Sequence, residues 1–328
     1  MFHLLQVCNV GQILGGTAAC AWSVTRSLPA FRHTVAFLSR VTDPTRDAFS
    51  GCKVVQWNRV TADRVAETGP DMVLLHNTSR SRCDERLPVP TVQYLHSHIT
   101  PAEADRTICC SAWLAERSAI GRANVVYQGV PRPRRPDPIG ETRGLREWPV
   151  IGRICTPTSR KWPTDLCGFY QELAGRFPSV RWEFVGCPPD LQDRLREACG
   201  GAARFVPASW MARDRLWQWD ALLYHNPSVP ESFGRTVAEA MRAGCVPIVD
   251  DRGGFREQVT ESCGWLCRDE TAFADAVEQL LLPARRRQMS RACRAEADAR
   301  FSLAQFGEGL MAQFRQAAAC RSTGGAGG

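Results

Sequence analysis

The chain has 328 residues, of which 44% are hydrophobic and 23% are charged, and its formal net charge is +7. This length fits two domains of about 150 residues each, and the composition is that of a globular protein with a sizeable core. It argues against a membrane-spanning protein, because no apolar run approaches the roughly 20 residues that a span needs. It also argues against a nucleic-acid-binding protein, because no aromatic-basic face accompanies the positive charge.

The basic residues and the cysteines bear on the compartment of the protein. Only Lys53 and Lys161 are lysines, which leaves 39 arginines among the 41 basic residues. This skew is typical of genomic base composition, although the surplus also suits an anionic acceptor or a membrane surface. Fifteen cysteines without a C-x-x-C pair argue against a zinc ribbon and favour buried thiols in a reducing cytoplasm. The N-terminus lacks a basic leader and an A-x-A site, so we predict a cytoplasmic protein, with peripheral contact at the inner face of the membrane left open.

Short apolar runs rich in Val and Ile predict buried parallel strands in the first half of the chain. They are HLLQVCN (3–9), HTVAFLS (33–39), KVVQW (53–57), MVLLHN (72–77), PTVQYLH (90–96), TICCS (107–111) and NVVYQG (124–129). The turn after the first strand contains Gly15 and Gly16, which would let the backbone approach a ligand closely at a helix N-terminus. It does not spell G-x-G-x-x-G, so a plain strand-to-helix turn is an equally good interpretation.

A proline-rich stretch, VPRPRRPDPIGETRG at 130–144, separates the two halves. Proline removes backbone donors and fixes φ, so this stretch is predicted to be a linker. The sequence thereby predicts an N-terminal domain over 1–140 and a C-terminal domain over 149–301. The second series of predicted strands is PVIGRIC (149–155), RWEFVG (181–186), ARFVP (203–207), ALLYHNP (221–227) and CVPIVD (245–250).

Helical patterns lie between these strands and after them. TDLCGFYQELAGRF (164–177) opens with Thr164 and Asp165, which suit a helix start. SLAQFGEGLMAQF opens with Ser302 and Gln305 at capping-box spacing and carries an apolar stripe, so a helix is predicted over 302–319. We expect this helix to pack back onto the N-terminal domain, and residues 320–328 to form a disordered tail.

Strands separated by helices, twice over, predict an α/β fold of two Rossmann-like domains with parallel sheets. Ligands bind beyond the carboxyl ends of such strands, so the expected site is the cleft between the domains. GRICTPTSRKW (152–162) follows the first strand of the second half, and its Arg153 and Lys161 are candidates to hold a diphosphate. A solvated loop is the alternative interpretation of this segment.

PESFGRTVAEAMRAGCVP (230–247) places two glutamates eight positions apart around a helix start. Glu231 is predicted at the carboxyl end of a strand, and Glu239 about one turn inside the helix, off its core face. At that position a carboxylate can accept both ribose hydroxyls of a nucleotide while the helix N-terminal amides hold the diphosphate. Glu231 could then address a sugar beyond the diphosphate. For an arbitrary pair, two surface glutamates would be the preferred interpretation.

The stretch PSVPESFGRTVAEAMRAGCVPIVDDRGGFREQV resembles the E-x7-E region of the family 4 glycosyltransferases, which have the GT-B fold. Other pieces of the resemblance occur in the family's order over most of the chain. They are the glycine loop after the first strand, YLHSH (94–98), YQGVPRP (127–133), the Arg153 and Lys161 segment, and NPS before the motif.

The resemblance implies roles for these residues in holding an NDP-sugar donor. Glu239 would bind the ribose, and Glu231 would contact the transferred sugar and support charge at its anomeric centre. Arg153 and Lys161 would neutralise the leaving diphosphate, and His96 would hydrogen-bond the donor sugar. The other expected donor contacts are Gly15 and Gly16 of the glycine loop, together with Val206, Ser232, Phe233, Gly234 and Thr236.

Three features depart from the family pattern. Trp162 follows Lys161 where members usually have glycine. The gap from Arg153 to Lys161 is longer than the commonest spacing, which makes Arg160 an alternative phosphate contact. The N-terminal half is short, which leaves the acceptor open between a glycan, a lipid-linked sugar and a small molecule.

The expected activity is retaining transfer of a sugar from an NDP-sugar, without a metal or other cofactor. No D-x-D occurs in the chain, and fixed cations and helix amides can stabilise the leaving diphosphate. His96 and His98 around one serine are a poor ligand set alone, so no metal site is predicted. Two alternatives stay open, namely a nucleotide-sugar epimerase of the same fold and a non-catalytic partner that binds nucleotide-sugar. The sequence does not indicate the sugar, the base or the oligomeric state.

Overall fold

The computed structural model describes residues 1–134 and 147–324 of the chain. It divides the chain into two compact units, one formed by Met1–Val130 with the chain from Phe301 onward, and the other by Pro131–Arg300. Residues 135–144 of the predicted linker and 325–328 of the predicted tail lie outside the described ranges.

The first unit is built on a six-stranded parallel sheet with the strand order β3-β2-β1-β4-β5-β6. The strands are β1 (His3–Cys8), β2 (Arg32–Phe37), β3 (Lys53–Gln56), β4 (Met72–His76), β5 (Thr91–Leu95) and β6 (Arg106–Cys109). The helices are α1 (Gly16–Ser27), α2 (Asp43–Ala48), α3 (Ala62–Thr68), α4 (Ala112–Arg117) and, far along the chain, α11 (Leu303–Gly324), with a 3₁₀ turn at Arg122–Asn124.

The central strands of this sheet are buried on both faces, as their mainly apolar sequences predict. Every residue of β1 and β4 is buried, and Leu5, Val7, Val73 and Leu75 belong to one core cluster. Each such side chain contributes about 1.5–3 kcal/mol by leaving water. Two of the helices, α3 and α4, begin at side-chain caps: the Thr61 hydroxyl accepts from the Arg64 amide at 3.4 Å, and the Ser111 hydroxyl accepts from the Leu114 amide at 3.1 Å.

Helix α11 completes the first unit although it is the last element of the chain. The Ser302 hydroxyl accepts from the Gln305 amide at 3.3 Å, which is half of the predicted capping box. Phe306 packs on the backbone of Gly129 and beside the Tyr94 ring, with centroids 6.1 Å apart. The helix continues to Gly324, so the structure corrects the predicted disorder of residues 320–324.

The second unit repeats the architecture with the strand order β12-β11-β10-β7-β8-β9, again all parallel. Its strands are β7 (Val150–Ile154), β8 (Arg181–Val185), β9 (Arg204–Val206), β10 (Ala221–Tyr224), β11 (Val246–Asp250) and β12 (Trp265–Cys267). Its helices are α5 (Leu166–Arg176), α6 (Pro189–Ala198), α7 (Arg235–Ala243), α8 (Phe255–Gln258), α9 (Glu270–Leu280) and α10 (Pro283–Arg300), with a 3₁₀ helix at Ala212–Trp217.

One predicted strand is wrong, and one observed strand was not predicted. NVVYQG (124–129) is not a strand, because only Val125 pairs with β6, in one isolated bridge to Cys109. The backbone then leaves the sheet toward α11, where the Val130 amide donates to the Phe301 carbonyl at 3.0 Å. The short strand β12 was not predicted, because three residues are too few to show a period.

The length and hydropathy of the helices bear on whether the chain could cross a membrane. Among the residues that the structure describes, no helix is both long enough and apolar enough to span one.

Candidate functional site

Both sheets reverse their strand order at one point, between β1 and β4 in the first unit and between β7 and β10 in the second. Open α/β sheets bind ligands outside the carboxyl ends of the strands at such a switch point, because the two adjoining loops diverge there. The segments that follow β7 and β10 carry Lys161 and Glu231, which the sequence singles out. The segments that follow β4 and β5 carry His96 and its neighbours.

Lys161, Glu231 and Tyr224 form one cluster at the switch point of the second unit. The Lys161 ammonium forms an ion pair with Oε1 of Glu231, and the Tyr224 hydroxyl donates to the same oxygen. The Lys161 and Glu231 side chains are 14% and 19% exposed, so the pair is screened from water but can be reached. Burial raises the pKa of the Tyr224 phenol, which therefore stays protonated and remains a donor.

Arg153 lies beneath this cluster and has no exposed surface. Its guanidinium donates to the carbonyls of His225 at 2.9 Å and Lys161 at 2.7 Å. It sits between the rings of Tyr224 and Trp162, 4.7 and 5.0 Å from their centroids. Through these hydrogen bonds Arg153 connects the end of β10 to the loop that carries Lys161. Direct contact between Arg153 and a diphosphate stays a prediction, and this buried position does not provide for it.

The two neighbours of Lys161, Arg160 and Trp162, differ in their exposure, and Trp162 stands where the family pattern has glycine. The Trp162 ring is 2% exposed and meets Phe184 edge to face at 6.2 Å, so it fills core space under the loop. The Arg160 side chain is exposed, and its carbonyl accepts from the Asn226 side chain at 2.9 Å. The longer loop therefore presents Lys161 and Arg160 together, with Arg153 and Trp162 as its buried support.

A buried polar group that the sequence did not indicate fixes the loop after β10. The Asp250 carboxylate accepts from the His225 ring at 2.7 Å and from the Asn226 amide at 2.7 Å. The Asn226 side chain in turn accepts from the amides of Ser228 and Val229, each at 3.1 Å. This network shapes the NPS turn that leads into Glu231.

The turn before α7 depends on one glycine. Gly234 precedes the helix with φ +88°, in the left-handed region that favours glycine. A Cβ there would overlap Cε1 of the Phe255 ring and lie 3.0 Å from its Cδ1. Phe233 is 3% exposed, and its carbonyl accepts from the Gln258 side chain. The N-cap residue of α7 is Gly234, which has no side chain to cap the helix.

Glu239 lies one turn inside α7 but is only 8% exposed, whereas the sequence predicted it off the core face. The helix packs against α10 and the 3₁₀ helix at Ala212–Trp217. Its Oε1 lies 3.6 Å from Nη2 of Arg235. Burial lowers the pKa of Arg213, and the negative charge of Glu239 opposes that shift, which places the two groups near each other.

The remaining predicted donor contacts of this unit border the same region. Ser232 and Thr236 are partly exposed on either side of Gly234. Val206 ends β9 with its side chain partly exposed, and its carbonyl accepts from the Gly186 amide at 2.9 Å. These positions are compatible with the predicted contacts and do not test them.

In the first unit, His96 follows β5 and takes part in a chain of four polar side chains. Its Nε2 lies 3.1 Å from Nδ1 of His76, and its Nδ1 lies 2.8 Å from Nε2 of Gln128. The far nitrogen of His76 meets Oε1 of Gln6 at 2.9 Å. Burial lowers the pKa of His76 to about 3, so this imidazole is neutral. Both nitrogens of His96 therefore have protein partners in this structure.

The glycine loop of the first unit holds the start of α1. Gly15 is its N-terminal flanking residue, and its carbonyl accepts from the Ala19 amide at 3.0 Å. Gly16 is exposed as the first helical residue. The close backbone approach occurs earlier, at Gly11, where a Cβ would lie 2.7 Å from the Arg40 carbonyl carbon. The sequence analysis named the helix-start glycines and missed this one.

Comparison with known proteins identifies the second unit. Residues 150–282 match the family model described as Glycosyl transferases group 1. The matched segment lies within the second unit and contains Lys161, Glu231 and Glu239. The chain is accordingly an enzyme of the glycosyltransferase class. No curated protein matches its sequence.

Solved structures share the fold of this glycosyltransferase over 96% of its chain. Anabaena HepE in complex with UDP and glucose has a TM-score of 0.74 at 17% identity, with 100% of that chain covered. A glycosyltransferase from Rickettsia africae has a TM-score of 0.75 at 15% identity, with 98% covered. The sucrose-phosphate synthase of Thermosynechococcus elongatus has a TM-score of 0.71 at 16% identity, with 99% covered. The two parallel six-stranded sheets match the GT-B architecture of these enzymes.

Proposed function

We propose that this glycosyltransferase moves a sugar from an NDP-sugar to an acceptor in the cytoplasm, with retention of anomeric configuration and without a catalytic metal. The observation that supports the proposal is the Lys161, Glu231 and Tyr224 cluster beside the N-terminus of α7, with Glu239 one turn inside the helix. A UDP-sugar is the first donor to test, because structures of HepE hold UDP and UDP-glucose. All fifteen cysteines are free thiols, which favours a reducing compartment.

Lys161 is proposed to change partner when the donor binds. In the free protein its charge is balanced by Glu231. A diphosphate at the N-terminus of α7 would attract the ammonium, because it carries more negative charge and adds the favourable end of the helix dipole. Glu231 would then be released toward the sugar and would stabilise positive charge at the anomeric carbon. Lys161, Arg160 and the helix amides would stabilise the departing diphosphate, which is the role a metal has in other transferases.

Glu239 is proposed to hold the ribose. A carboxylate can accept from both ribose hydroxyls, and each charge-assisted bond is stronger than a neutral one. Arg235, with its Nη2 at 3.6 Å, orients the carboxylate in the free protein. The contact between His96 and the donor sugar rests on the family resemblance alone, and it requires Gln128 or His76 to give up its bond.

Two glutamate variants test the proposal on the full chain. Glu239→Gln should weaken binding of UDP in calorimetric titration, whereas Glu231→Gln should leave UDP affinity unchanged or raise it, since Lys161 loses its internal partner. Glu231→Gln should also lower the rate of UDP-glucose turnover, because its partner is the sugar in the transition state. Glu172→Gln on the exposed face of α5 is the matched control.

The opposite pattern would overturn the assignment. If Glu231→Gln lost UDP affinity and kept its turnover, the two glutamates would have exchanged roles. Chromatography of the sugar separates the alternatives, because an epimerase returns a changed nucleotide-sugar and a non-catalytic partner returns the donor intact. A thermal-shift panel of UDP-, GDP- and ADP-sugars identifies the base, since a ligand at about 100 times its Kd adds about 2.7 kcal/mol of stability.

A further inference from the structure

A cluster of one thiol and two imidazoles lies at the switch point of the first unit, apart from the groups used above for the diphosphate. Cys20 belongs to the second turn of α1, His76 is the last residue of β4, and His96 follows β5. Their ligand atoms all lie within 4.8 Å of one another. Cys20 and His76 are completely buried, and His96 is partly exposed. From this grouping we propose that Cys20, His76 and His96 bind one thiophilic divalent cation, with Zn²⁺ as the expected ion.

The separation of the two imidazoles already fits a metal. Zinc sites have Zn–N distances of about 2.0–2.1 Å in a tetrahedron, which puts two ligand nitrogens about 3.4 Å apart. His76 Nδ1 and His96 Nε2 are 3.1 Å apart. The two nitrogens therefore need to separate by only a few tenths of an ångström. The rings are stacked with their planes 10° apart, so they must also turn until both lone pairs point at the cation, and Cys20 must adjust its rotamer.

The surroundings of both histidines supply the outer hydrogen bonds that metal ligands need. A ligating imidazole donates its other N–H to an acceptor, which fixes the ring orientation. Oε1 of Gln6 accepts from His76 Nε2 at 2.9 Å. Gln128 contacts His96 Nδ1 at 2.8 Å, and turning its amide by 180° presents Oε1 to that nitrogen. Two fully or nearly buried glutamine side chains thus hold the two rings from outside.

A metal-free arrangement competes with this proposal. Gln128 can donate to His96, His96 to His76, and His76 to Gln6, which satisfies all three contacts without Cys20. The two arrangements differ in the thiol, because only the metal site requires it as a thiolate ligand. Metal binding replaces the thiol proton of Cys20 with the cation and releases that proton to solvent.

The ligand set selects the kind of metal. One thiolate and two imidazoles suit Zn²⁺, Co²⁺ and other borderline-soft ions, whereas Mg²⁺ and Ca²⁺ require oxygen ligands. Three protein ligands with His96 on the exposed side leave the fourth position to water or another small ligand. The site is therefore unrelated to the metal that some transferases place on a diphosphate. A cation on Nε2 of His96 and Gln128 on its Nδ1 would leave this ring no nitrogen for a donor sugar, so the metal site and the sugar contact that the resemblance implies for His96 exclude each other.

Cobalt titration of the full chain tests the proposal. Protein treated with a chelator and freed of it should bind one equivalent of Co²⁺, with a thiolate-to-cobalt charge-transfer absorption and the strong visible bands of tetrahedral cobalt. Cys20→Ser should lose the charge-transfer absorption, and His76→Gln should weaken binding at least tenfold. Cys83→Ser is the matched control, because Cys83 is an equally buried thiol of the same unit that lies in the apolar core.

X-ray absorption spectroscopy of the zinc-loaded wild-type protein identifies the ligands of the metal directly and needs no variant. One sulfur and two imidazole nitrogens around zinc would support the site. No sulfur or two sulfurs would overturn it, as would a wild-type protein that shows no charge-transfer absorption at one equivalent of Co²⁺. An unchanged absorption in a folded Cys20→Ser protein would also overturn it.

Discussion

Replacing Gly234 by alanine tests whether the turn before α7 is fixed by packing as well as by backbone conformation. Gly234 has φ +88°, and a Cβ there would overlap the Phe255 ring. That ring cannot move away cheaply, because Phe255 is 2% exposed and meets Tyr224 edge to face at 5.3 Å. The variant should therefore suffer two separate penalties.

The magnitudes follow from the two causes. A non-glycine residue in the left-handed region costs roughly 1–2 kcal/mol. Forcing an extra carbon into a packed core costs about 1–3 kcal/mol. The smaller entropy of the unfolded alanine chain returns about 0.4–1 kcal/mol. The net expectation is a loss on the order of 1–4 kcal/mol, with the α7 N-terminus and Glu231 displaced.

Urea denaturation of the full chain, followed by tryptophan fluorescence, measures this loss, and two glycines of the same unit serve as controls. Gly200 has φ +62°, and no atom lies within 4 Å of the place where an added methyl group would sit, so Gly200→Ala isolates the backbone penalty. Gly168 lies inside α5 with open space around it, so Gly168→Ala should stabilise by about 0.5–1 kcal/mol. If Gly234→Ala cost no more than Gly200→Ala, the Phe255 contact would not constrain the turn, and the reasoning would be refuted.

Three further predictions concern the site and the two units. Tyr224→Phe should lower stability by about 1 kcal/mol through the lost bond to Glu231 and leave UDP affinity intact; a large loss of affinity in titration would contradict this. Chelation with EDTA should leave turnover unchanged, and added Mg²⁺ or Mn²⁺ should not raise it; restoration of a lost activity by either ion would show a metal-dependent mechanism. A chain ending at Arg300 lacks α11, so it should lose transfer while its second unit still binds UDP; undiminished transfer in this protein would make α11 dispensable.

The strands were predictable because their cause is local. The run MVLLHN was predicted as a strand over 72–77, and β4 covers five of those six residues, Met72–His76, all of them buried. The segment NVVYQG has the same apolar character, but whether such a run joins a sheet depends on the neighbour beyond it. Here the neighbour is the Phe301 backbone and α11, more than 170 positions away in sequence, and no pattern within the segment reports it.

The features of the site also divide into those set by neighbouring residues in the sequence and those set by distant contacts. Glu231 and Gly234 were located correctly relative to strand and helix, because strand end, turn and helix start are contiguous. The pairing of Lys161 with Glu231 joins positions 70 residues apart, and it depends on β7 and β10 being neighbours. The contact of Arg153 with a diphosphate stays a prediction, and the sequence could not show that the rings of Trp162 and Tyr224 enclose its guanidinium. A buried arginine and an exposed one look alike until the strand order is known.

The position of α11 has a consequence for how the protein is made. Residues 1–130 leave the ribosome first, yet the helix that packs on α1 and on the Tyr94 side of their sheet is synthesised only after residues 131–300. Residues 131–300 form a continuous unit that is complete before α11 has been synthesised. Domains generally fold as units during synthesis. We therefore expect residues 131–300 to fold first. Until α11 has been synthesised, the N-terminal sheet exposes an apolar face, and a chaperone can bind that face during this period.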